Sequence, residues 1–106
     1  MVERSNEWVK IQLGTGDPIR IPWASRQALL ERVRARRGTE KIVQAFEAVG
    51  TSRAVTFDAE SKELLLEVID LAWFEGERVR ASDLPPGIYE LRNALIDDAA
   101  ARRPGP

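Results

Sequence analysis

The chain of 106 residues contains no histidine and no cysteine. The first absence removes the commonest general base and metal-ligating ring. The second removes thiol nucleophiles, disulfides and thiolate zinc sites. Ser–His and Cys–His catalytic arrangements are therefore excluded, and an enzyme built on this sequence would depend on carboxylates, arginines, hydroxyls or the single tyrosine, Tyr89. No apolar run approaches the ~18 residues of a membrane span, so no membrane association is expected. The opening MVERSNEW lacks the apolar core of a signal peptide, and a cytoplasmic protein is the expectation. Lysine is scarce too: three, against thirteen arginines, a bias that suits a GC-rich bacterial genome.

What is present is an ordinary globular composition, 43% hydrophobic and 31% charged. This length suits one domain that buries roughly two-thirds of its unfolded surface. The net charge of −1 hides an asymmetry: residues 1–53 hold ten basic and six acidic side chains, residues 54–106 six basic and eleven acidic. Halves of opposite charge are expected to face one another, within one fold or across a dimer.

The longest apolar stretch is DAESKELLLEVIDLAWFEG, Asp58 to Gly76, in which nine of the eleven residues from Leu64 to Phe74 are apolar. At ~100° per residue its apolar side chains spread over roughly 220°, far more than the ~100° stripe of a surface helix. A central helix over 59–75 is expected, capped by Asp58 and either covered from two sides within the fold or meeting another chain with one of them. Ahead of it, Val9, Ile11 and Leu13 alternate on one face of a strand and leave Trp8, Lys10 and Gln12 on the other. Gly14 to Pro18 has turn chemistry, and Ile19-Arg20-Ile21 returns as the second strand of a hairpin. Pro22 suits the first position of a helix reaching Arg37 and stopped by Gly38. Thr39 is placed as the cap of an amphipathic helix from Glu40 to Val49. Arg53 to Phe57 favours a strand, Glu77 to Arg80 a further short edge strand, and Ile88 to about Ala100 a last helix.

The expected fold is α+β: a small antiparallel sheet, formed by the N-terminal hairpin plus one or two short strands, packed with about four helices around helix 59–75. Residues 7–100 form a single domain, and 1–6 and 101–106 are expected to be flexible tails.

For chemistry, Glu60-x-x-Glu63 and Glu67-x-x-Asp70 offer carboxylate pairs of a spacing able to hold Mg²⁺. Both pairs lie on one helix, and Glu60 to Asp70 spans about 15 Å of axis, so they do not surround one ion. A carboxylate-based metal enzyme is thus the remotest reading, and neither a catalytic residue, a metal site nor a cofactor is assigned. Gly14-Thr15-Gly16 lacks the glycine fingerprint of a phosphate loop and precedes a strand. The segment 22–49 has the outline of a helix-turn-helix whose arginines, Arg26, Arg32, Arg36 and Arg37, would contact DNA in a regulator. Its second helix carries Glu40 and Glu47, and the whole chain is slightly acidic, so nucleic acid is the alternative partner and not the expected one. The expected function is a small non-enzymatic interaction or accessory domain that binds a protein, with self-association as a homodimer the first candidate. Its contact residues are Glu63, Glu67, Asp70 and Phe74, where like charges along one helix face call for cations from a partner or from the chain's own first half.

Overall fold

The computed structural model of the protein describes residues 7–14, 16–49, 53–75 and 83–102. Alternation in the first strand works as expected: β1 (Trp8–Gln12) and the residue after it bury Val9, Ile11 and Leu13, while Trp8 stays 53% exposed on the opposite face. β2 (Ile19–Pro22) pairs with it antiparallel, Val9 opposite Ile21 and Lys10 opposite Arg20. The connecting loop is closed by the Gln12 amide, which donates to the carbonyls of Gly14 and Gly16.

Pro22 is extended (φ −62°, ψ 155°) and ends β2, so it stands at the N-cap and not at the first helical position. The first free helix N–H, that of Trp23, is met by the Glu7 carbonyl at 2.9 Å. α1 (Trp23–Arg34) then stops three residues short of the expected Arg37. The cause is Thr39, whose hydroxyl reaches back to the carbonyls of Val33 (2.7 Å) and Arg36 (2.8 Å). That hydroxyl finishes α1 and does not cap α2 (Glu40–Val49); the Thr39 carbonyl accepts the N–H groups of Ile42 and Val43 instead.

β3 (Val55–Thr56) pairs with β1 in parallel, giving the order β2-β1-β3. The sheet is therefore mixed where an antiparallel one was expected. The intervening α1 and α2 supply the crossover that a parallel pair requires. The fourth strand expected at 77–80 lies outside the described residues.

α3 (Ala59–Trp73) is flanked by α1, α2 and by α4 (Ile88–Arg102). Its buried residues are Ser61, Leu65, Val68 and Ile69, a stripe of only about 100°. The rest of its apolar width, Leu64, Leu66 and Trp73, is half-buried, and Leu71 is exposed. α4 buries Ile88, Leu91 and Leu95 and includes residues 101 and 102, which the sequence assigned to a tail; 1–6 and 103–106 are not described. Among the described residues the architecture is a four-helix, three-strand α+β fold with a hydrophobic core between the sheet and the helices. Among the described residues no helix is long and apolar enough to cross a membrane.

Asp58 caps α3 as expected, accepting from the Ser61 N–H at 2.7 Å. That backbone bond is the main reason its carboxyl lies below the usual 3.8, with the Ser61 hydroxyl next among the lowering contacts and Lys41, 3.8 Å away, adding to it. A lowered folded pKa gives stability that is fully present above the unfolded value and is lost as the pH falls through the folded one. Asp58→Ala is therefore expected to lower the melting temperature by a few degrees at neutral pH. The gap to the parent should narrow as the pH drops below about 4. Melting curves between pH 7 and pH 2.5 check this; a gap that stays constant across that range rules the cap out as its source.

Candidate functional site

Three of the four contact residues expected on the central helix, Glu67, Asp70 and Phe74, are engaged from two sides by the chain's own cations. Arg36, in the α1–α2 turn, meets Glu67 at 2.6 Å. From α4, Arg92 donates to Asp70 at 2.6 Å and lays its guanidinium 4.3 Å from the Phe74 ring centre. Phe74 follows the last turn of α3 and is half-buried against the core, while Glu63 is exposed one turn before Glu67. The acidic face is thus divided: Glu67 leans toward the basic first half of the chain, Asp70 and Phe74 toward α4. Part of the charge asymmetry closes the fold, through Arg36–Glu67 and Lys41–Asp58. Exposed pairs of this kind contribute little net stability, so these contacts set positions more than they set stability.

A better-shielded pair ties the same helix to its neighbours. Lys62 donates to the Leu13 carbonyl and meets Asp98 of α4 at 3.2 Å, with both side chains largely buried. Among the described residues, no three acidic side chains converge as a metal cage.

The arginines of 22–49 do not share a face. Arg26 is 7% exposed, its guanidinium 4.2 Å from the Trp23 ring centre and 5.9 Å from that of Phe46, and it donates to the Gln27 side chain at 2.8 Å. It is part of the interior. Arg36 is engaged with Glu67, whereas Arg32 and Arg37 project outward, Arg32 with its guanidinium 5.9 Å from the Trp73 ring.

What the structure adds is a groove of about 240 Å³ between α1 and α3. Ala35, Val68, Leu71 and Ala72 form its apolar floor, and Arg32 and Arg36 stand at its edge. Leu71, 48% exposed, is the largest apolar side chain of α3 left open to water. Sequence reasoning counted Leu71 as part of the buried width. Its position was nevertheless readable, four residues after Glu67 and three before Phe74, which places it on the acidic face.

Compared with family models, with curated proteins and with solved structures, the chain finds no match. The reading of the site rests on its geometry.

Proposed function

We propose that this is a small non-enzymatic interaction domain that associates with a second copy of itself through the α1–α3 groove. The observation that carries the reading is Leu71, half-exposed within an apolar floor and flanked by Arg32, Arg36 and Glu67. A two-fold interface places the same patch on both partners, so one residue meets another reciprocally. This patch suits that demand because it presents both signs of charge around an apolar centre. In such a pairing Arg32 of one copy would face the acidic side of the other's α3, with Glu63, Glu67 and Phe74 as its flank and Asp70 behind them.

Light scattering across a concentration series tests the proposal. The parent protein is expected to move from 11.9 kDa toward twice that mass as concentration rises. Leu71→Asp is expected to weaken the association by tenfold or more, roughly 1.4 kcal/mol or above. Because Leu71 is half outside the core, its replacement should alter folding stability by no more than about 1 kcal/mol. A parent protein that stays at 11.9 kDa at every concentration overturns self-association.

A further inference from the structure

The outer face of the sheet presents a second arrangement that the groove does not use. Lys10 and Arg20 are direct cross-strand partners, and Trp8 stands two residues along β1 on the same face, beside both. Like charges placed opposite each other on a sheet destabilise it. Here neither cation has an ion pair among the described residues. Trp8, Lys10 and Arg20 together line a shallow bowl of about 430 Å³. A neighbouring hollow continues it past Ile19 and Pro86, with Glu90 at its edge.

From this juxtaposition we infer that the sheet face binds a short acidic peptide segment of a partner protein, carrying an apolar or aromatic residue next to its carboxylates. The two cations leave a charge for an acidic ligand to complement, since no described residue pairs with them. Their backbones are about 5 Å apart across the strands, so the side chains can hold one carboxylate together or two neighbouring ones. Trp8, about 7 Å further along β1, gives a flat apolar contact for a residue two positions away in an extended peptide. Aromatic and arginine side chains are the ones that most often dominate such contacts. A nucleic-acid strand fits less well, because it needs a basic track along several phosphates. This bowl offers two cations, has Glu90 at its margin, and belongs to a chain of net charge −1.

The test uses the full-length chain, ¹⁵N-labelled, with three polymers as probes: a random glutamate–tyrosine copolymer, polyglutamate and oligothymidylate. At low salt the copolymer is expected to shift the indole resonance of Trp8 and leave those of Trp23 and Trp73 in place. It should bind about tenfold tighter than polyglutamate. Trp8→Ala, and separately Lys10→Gln combined with Arg20→Gln, should each weaken it by about tenfold or more, with the circular dichroism spectrum unchanged. Four results overturn the inference: no Trp8 shift at low salt, a shift confined to Trp73 beside Arg32, variants that bind as the parent does, or polyglutamate binding equal to that of the copolymer. Tighter binding of oligothymidylate also overturns it and assigns the face to a nucleic-acid strand. The result is independent of dimerisation through Leu71, since Leu71→Asp leaves the sheet face intact.

Discussion

Gly87→Ala is expected to destabilise the protein by about 2–4 kcal/mol, combining a left-handed backbone penalty with overpacking. Gly87 precedes α4 with φ +83°, and its carbonyl accepts the Leu91 N–H at 2.9 Å. A Cβ placed there would lie 2.7 Å from Cγ2 of Ile21 and 3.2 Å from the carbonyl oxygen of Arg20. Neither neighbour can step aside easily. Ile21 is fully buried in β2, and the Arg20 oxygen is backbone of the same strand. The turn is also held from α1, where the Ser25 hydroxyl donates to the Pro86 carbonyl at 2.6 Å. Gly38 separates the two causes, because it has φ +82° but a Cβ there would meet no described atom beyond its chain neighbours within 4 Å. Gly38→Ala should therefore cost only the backbone share, about 1–2 kcal/mol. Urea denaturation of both variants checks the difference: equal losses at the two glycines would show that the contact with β2 contributes nothing. Since whole domains are stable by only about 5–15 kcal/mol, Gly87→Ala should leave a protein that melts early and associates poorly for that reason alone.

Local patterns were legible where one residue's environment is decided by its near neighbours. The alternation Val9-x-Ile11-x-Leu13 gave the buried face of β1, and the spacing of Ile42 and Phe46 gave that of α2. Asp58 was readable as a cap because capping needs only the next three residues. Thr39 offered the same signal and went the other way, since the carbonyls left by α1 compete for its hydroxyl. The direction of β3 was not legible: two residues, Val55 and Thr56, carry a burial pattern but no information on whether their neighbour runs with or against them. Contacts across long separations, such as Arg36–Glu67 and Arg92–Asp70, belong to the packing of helices and leave no trace in spacing. Arg26 is a case of a missed local sign. It was grouped with outward arginines, yet Trp23-x-x-Arg26 sets a cation and an aromatic three apart on one helical face, where they meet. Leu71 was the opposite case, an apolar residue grouped with the core although its helical position lies with Glu67 and Phe74.

Phe46→Ala is expected to cost about 3–5 kcal/mol, the range for deleting a buried aromatic ring. Phe46 is fully buried and meets Phe57 edge to face, ring centres 5.4 Å apart at 63°. Its ring is also one of two aromatic walls around Arg26. The deletion therefore opens a cavity beside a charged group and removes one of the two ring faces that, with the hydrogen bond to Gln27, offset the cost of burying the guanidinium. Phe46→Leu keeps most of the volume and should cost markedly less, about 1–2 kcal/mol. A double-mutant cycle with Phe57→Ala isolates the ring pair, for which a coupling of about 0.5–1.5 kcal/mol is expected. Urea midpoints supply all of these values. A Phe46→Ala loss below about 1 kcal/mol, outside what a well-packed core position allows, would mean that the junction of α1 and α2 is loosely packed. That junction orients the turn carrying Arg36, and through it the α1 side of the groove that Leu71 lines. A loose junction would leave the proposed dimer face without a fixed shape, so the stability of this buried ring bears directly on whether the exposed leucine can act as a contact.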